Sequence, residues 1–214
     1  MRTMKKAREA SPVAHKIAKD IFTVPNLISV TGAALVMHGS KKIDTTEGLA
    51  ECAVGRLADV LDGKVARMTG QTSNFGAALD ATTDKIVMAK ILYEMHKKGL
   101  APKKVLGTVA TLNSINALST GIANLRSDKK AETRPTKSGK LAMAGETVTL
   151  ISYIAAHITE QDKNPKLAKL LRKLGAVAFA TSLPLATHAT YTYVKRAVNG
   201  NTEKPEESRQ ITDV

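Results

Sequence analysis

Along most of the chain, long apolar stretches alternate with short polar connections rich in lysine. Six such stretches stand out, at residues 21–38, 49–67, 77–95, 105–125, 141–158 and 174–194. The first, fourth and sixth contain no Asp, Glu, Lys or Arg, and the fifth contains one acid, Glu146. Segments near this length suit a helix that crosses a bilayer, and no run shows the alternation of a strand. Gly, Ala, Ser and Thr are frequent in the fourth and sixth, which permits close helix contacts in lipid. The expected architecture is all-α and polytopic, with six transmembrane helices in a domain over residues 21–196. Residues 1–20 are basic and amphipathic, with Lys5, Lys6, Arg8, Lys16 and Lys19. They lack the apolar run and cleavage site of a signal peptide, so an interfacial helix on the membrane surface is expected there. Residues 197–214 are polar and charged, and are expected to form a disordered tail.

The second and third segments break the apolar pattern in a regular way. Asp59, Asp62, Gly63 and Ala66 follow an i, i+3, i+4, i+7 rhythm and share a helix face. Gly76, Asp80 and Asp84 recur every four residues and share another. The intervening residues 68–75 (MTGQTSNF) read as a turn, so the two acidic faces meet across an antiparallel pair. Four carboxylates brought together repel one another unless a cation neutralises them. Oxygen ligands without nearby His or Cys favour Mg2+, Mn2+ or Ca2+ over zinc or copper. Such ions suit chemistry at a phosphate ester. Gly63, Ala66 and Gly76 leave room for a nucleotide to approach the backbone, and Arg67 offers a fork of donors to phosphate.

Together these residues spell D-x2-D-G-x2-A-R-x8-G-x3-D-x3-D. At roughly 1 in 15 per fixed position, eight matches arise by chance below about 10⁻⁹ per starting point. The pattern resembles the signature of the CDP-alcohol phosphotransferase family, with all eight positions filled. The resemblance implies an enzyme that moves a phosphatidyl or similar group from a CDP-linked donor, such as CDP-diacylglycerol, to an alcohol and releases CMP. It implies Asp59, Asp62, Asp80 and Asp84 as ligands of two Mg2+ or Mn2+ ions, and Asp84 as the catalytic base. It implies Gly63, Ala66, Arg67 and Gly76 as contacts to the CDP donor. It also implies six transmembrane helices, a cytoplasmic active site and a homodimer. Pro25-Asn26 is similar to a dipeptide near the start of many members.

The connection between the fourth and fifth segments, RSDKKAETRPTKSGK, is basic. Arg134, Lys137 and Lys140 are candidates to hold a phosphate on the acceptor alcohol. Gly139-Lys140 resembles the start of the fifth helix in phosphatidylglycerophosphate synthases, which implies glycerol 3-phosphate as acceptor. The LAMAGE that follows departs from those synthases, and inositol 1-phosphate is the rival.

A net charge of +13 invites a nucleic-acid reading. The chain has no Trp, three Phe and four Tyr, so it lacks the stacking residues of single-strand binders, and it has no zinc-finger motif. Anionic lipid head groups account for the charge instead. The single Cys52 excludes an internal disulfide, and the five His residues show no metal-ligand spacing. With the amino terminus inside, 18 basic residues fall on the cytoplasmic side and 11 outside, a lean that favours the orientation the resemblance implies, with the active site at the cytoplasmic face of the cell membrane. Mean hydropathy is −0.13, low for six spans, and leaves a soluble six-helix bundle, natural or redesigned, as the alternative. A non-catalytic, cation-stabilised bundle that binds lipid or nucleotide is the alternative in function.

Overall fold

The computed structural model describes residues 23–70, 74–126 and 136–199. The described residues form six helices: α1 (Val24–Ser40), α2 (Thr46–Met68), α3 (Asn74–Lys97), α4 (Lys103–Arg126), α5 (Lys137–Gln161) and α6 (Pro165–Asn199). No strand occurs among the described residues. The all-α expectation holds, with one helix for each apolar segment. The expected interfacial helix over 1–20 lies outside the described residues, as does the tail from 200 onward. Among the described residues, one helix, α5, is both long and apolar enough to cross a membrane on composition alone.

Helix ends follow local chemistry. Thr23 caps α1, its hydroxyl accepting from Asn26 N at 3.3 Å, and Pro25 sits in the first turn, where its missing N–H costs no helical bond. Thr45 caps α2 through Gly48 N, and Glu47 in the first turn faces the positive end of the helix dipole. Helix α3 ends with Gly99 at φ 64° and a bond from Leu100 N to Met95 O at 3.0 Å, the six-to-one closure of a Schellman motif. The end of α5 repeats it, with Asn164 N bonded to Thr159 O, but Lys163 occupies the left-handed position at φ 59°. Asn164 then caps α6 through Leu167 N, and Pro165 follows at the first helical position.

Helix α6 begins well before the apolar segment at 174, and α5 begins before 141. The stretch 165–173 is lysine-rich, but it has no breaker after Pro165, and Ala168 is buried. Charge marks where a helix stops being apolar, not where it stops being a helix. At its other end, α6 continues through Asn199, into the beginning of the stretch expected to be disordered.

The chain forms two compact units. The first holds the described residues up to Leu106 together with Ser152–Arg172. Within it, α1 and α2 run antiparallel in near backbone contact. A Cβ at Gly32 would lie 2.8 Å from Gly55 O, and one at Gly39 would lie 2.8 Å from Gly48 O. Two glycine pairs, seven residues apart on each helix, thus admit an approach that larger residues would block. Between them Cys52 is buried, its thiol 3.8 Å from Val36 O. The connections after α1 and α3 are joined by Lys98 and Asp44 at 2.6 Å. The second unit holds Gly107–Ile151 and the described residues from Lys173 onward. Here α5 and α6 meet where a Cβ at Gly145 would lie 2.5 Å from Ser182 Cβ. Buried Glu146 accepts from Asn113 Nδ2 at 2.9 Å.

Two outcomes are expected. Lys163→Gly relieves a left-handed lysine and stabilises the fold by about 0.5–1 kcal/mol after the glycine's own entropy cost. Thermal unfolding should register this as a midpoint raised by roughly 2–3 °C. The second concerns Asp44. The Lys98 ammonium hydrogen-bonded to it holds its carboxyl below the ordinary carboxylate range. The pair therefore contributes stability at neutral pH that is lost as pH falls through the lowered Asp44 value. Lys98→Met should lower the midpoint near about pH 7, and the difference between the two proteins should shrink as pH falls through the lowered Asp44 value.

Candidate metal centre

The candidate site lies in the first compact unit and is assembled by α1, α2 and α3. The register set by the glycine crossing turns the Asp59–Asp62 face of α2 inward. Asp62 is 5% exposed, and the hydroxyl of Ser29 on α1 donates to its Oδ2. That hydroxyl also lies 3.1 Å from Pro25 O, so it is wedged between a helix carbonyl and a carboxylate. Asp59 is half-buried, and from α3 comes Asp80, which is exposed. One oxygen of each of Asp59, Asp62 and Asp80 lies within 4.8 Å of the others. Three carboxylate oxygens so close, one of them from a buried carboxyl group that accepts a hydroxyl hydrogen bond, form an all-oxygen donor set that fits Mg2+ or Mn2+.

Asp84 stands one turn beyond Asp80 and has a different neighbour. Arg56 Nη1 donates to Asp84 Oδ1 and lies 3.5 Å from Asp59 Oδ2. The structure thus gathers three of the four signature aspartates into one cluster and ties the fourth to it through an arginine.

The expected donor-binding residues fall around this cluster. Gly63 is half-buried, and a Cβ there would lie 3.6 Å from Arg67 Nη1, so the Arg67 guanidinium lies along the bare face of the glycine. Ala66 and Gly76 are half-buried, and Arg67 is exposed. The acceptor candidates Lys137 and Lys140 are both exposed at the start of α5, in the second unit. Arg134 lies outside the described residues. Gly139 has a packing reason of its own, since a Cβ there would lie 2.6 Å from the Tyr193 hydroxyl.

Two participants escaped the sequence reading. Arg56 precedes Asp59 by three residues, a spacing that puts both on one helix face, and this was its available signal. Ser29 had none, because its partner lies thirty-three residues away and only the crossing of α1 and α2 brings them together.

Comparison with known proteins supplies a family. The sequence model for the CDP-alcohol phosphatidyltransferase family matches residues 18–190. The chain belongs to this family. A Drosophila melanogaster protein named "Probable cardiolipin synthase (CMP-forming)" is 29% identical over 112 residues, 50% of this chain and 35% of that protein. An archaetidylinositol phosphate synthase from Pyrococcus horikoshii is 34% identical over 88 residues, 40% of this chain and 47% of the relative. The chain thus spans about half or less of the curated relatives it matches. No solved structure matches it. The cluster of Asp59, Asp62 and Asp80 lies inside the matched region, as does Ser29.

Ser29→Ala should weaken Mn2+ binding roughly tenfold, because Asp62 loses the donor that orients it. Titration followed by the Mn2+ electron paramagnetic resonance signal measures this, and an unchanged affinity would remove Ser29 from the site.

Proposed function

We propose that this chain is a membrane-embedded transferase that moves the phosphatidyl group of CDP-diacylglycerol to a phosphorylated alcohol, glycerol 3-phosphate, and releases CMP. The observation that carries this reading is the convergence of Asp59, Asp62 and Asp80 from two helices, with Asp84 one turn away. Mg2+ or Mn2+ ions, two in the full reading, would be held by Asp59, Asp62, Asp80 and Asp84 and would supply charge neutralisation at the diphosphate. Gly63, Ala66 and Gly76 give the cytidine a surface without bulky side chains, and Arg67 offers its donors to the diphosphate. Asp84 takes the proton of the acceptor hydroxyl. The acceptor oxygen then bonds to the β-phosphorus as the bond from that phosphorus to the bridging oxygen breaks, and CMP leaves with the electron pair. Lys137, Lys140 and Arg134 are the side chains offered to the phosphate of the acceptor.

The distribution of side chains supports a lipid setting. Leu27 is 69% exposed, Leu57 62% and Leu118 67%, whereas Ser40 and Thr149 are fully buried and Ser182 nearly so. Large apolar residues also fill the interior, Val36, Ile43, Met95 and Val109 among them, so the helices are apolar both inside and over much of their outer surface, and small and polar residues share the contacts between helices, as lipid favours. The lean of basic residues toward the expected inner loops supports an active site facing the cytoplasm. The homodimer implied by the family likeness belongs to the same proposal. A second acceptor, inositol 1-phosphate, is favoured by the similarity to the archaetidylinositol phosphate synthase.

The test is CMP release by the detergent-purified chain given CDP-diacylglycerol, Mg2+ and each phosphorylated alcohol in turn. CMP is expected with glycerol 3-phosphate. Release only with inositol 1-phosphate would reassign the acceptor, and nucleotide binding without CMP in any arm would sink the transfer reading. Asp84→Asn should lower turnover by about 10²–10⁴-fold while the protein still binds CDP, the loss typical of a missing general base.

A further inference from the structure

Arg56 lies within the acidic centre yet holds none of the eight signature positions. Its guanidinium contacts Asp59 on its own helix and Asp84 on α3. Asp59 is shared between two arrangements. With Asp62 and Asp80 it forms the cluster of oxygens, and with Asp84 it forms the ion pair to Arg56. Two cation positions therefore meet at Asp59. One is framed by carboxylate oxygens, and the other is filled by the protein's own cation.

We infer that Arg56 holds the place of a second divalent ion between Asp59 and Asp84, so that this ion enters only when an anionic diphosphate draws the guanidinium away. The inference rests on the metal-dependent reading above and specifies how that site loads. Four carboxylates and one guanidinium leave three net negative charges. One divalent ion reduces the excess to a single negative charge. A second, with Arg56 still in place, makes the centre net positive, which like-charge repulsion opposes in a partly buried site. A donor diphosphate brings negative charge and offers the planar fork of Arg56 a bidentate partner. The Arg56 side chain is 37% exposed, so it has an outlet through which to move. Loading of the second ion is thereby coupled to arrival of the donor.

The experiment measures Mn2+ binding to the full chain in detergent by electron paramagnetic resonance, with and without CDP as the diphosphate probe. Wild type should take up about one Mn2+ per chain alone and about two with saturating CDP, the second showing magnetic coupling to the first. Arg56→Gln should take up about two without CDP, its second-ion affinity raised at least about tenfold and its first-ion affinity within about threefold of wild type. Arg56→Lys keeps the positive charge and should keep the dependence on CDP. Equal uptake of two ions by wild type without CDP overturns the inference, as does an Arg56→Gln protein that binds the first ion normally but still needs CDP for the second. A wild type that binds no Mn2+ under either condition overturns the metal reading itself, and this inference with it.

Discussion

The near contact of α1 and α2 backbones at two glycine pairs governs the rest of the first compact unit. Gly32 meets Gly55, and Gly39 meets Gly48, so the pair locks in one antiparallel register. Seven-residue spacing keeps both pairs on one face of each helix, because two turns of helix come close to seven residues. From that register follow the burial of Cys52 against Val36 and the placement of Ser29 on Asp62. A methyl at Gly55 would have to displace the Gly32 carbonyl or the Val36 side chain. The acidic centre is thus positioned by residues that carry no chemistry of their own.

The second organising influence is electrostatic. Carboxylates that converge from two helices raise the energy of the folded chain unless cations offset them. Arg56 supplies part of the offset and leaves the Asp59–Asp62–Asp80 group under-compensated. Stability and chemistry pull in opposite directions at this place, as they do where a fold stores binding capacity for a ligand. Around it, small and hydroxyl-bearing residues share the helix contacts with buried Val36, Ile43 and Met95, while other large aliphatic side chains, such as Leu27, Leu57 and Leu118, point outward. Those outward side chains let a chain of modest mean hydropathy present an apolar surface.

Much of this was legible in the residues. The six helices follow from apolar run length, and the acidic centre from spacing, because i+3 and i+4 positions share a face whatever the tertiary structure. The caps at Thr23 and Thr45 obey a local rule that the sequence reading did not apply, since Thr followed by a helical run is a start signal. The helix limits were less accessible. The lysine-rich start of α6 looked like a loop because composition was weighed above the absence of breakers. Asp84 was grouped with the other aspartates by spacing alone, whereas its pairing with Arg56 depends on the rotation of α2 against α3. Ser29 and the Gly139–Tyr193 contact depend on residues far apart in sequence, and no local pattern encodes them.

Burial across the aspartate cluster is graded. Asp62 is sealed under α1, Asp59 is half-covered, and Asp80 is open. Of the three carboxylates, Asp80 is thus the one an arriving ligand meets without displacing protein, and Asp62 the one most shielded from bulk solvent.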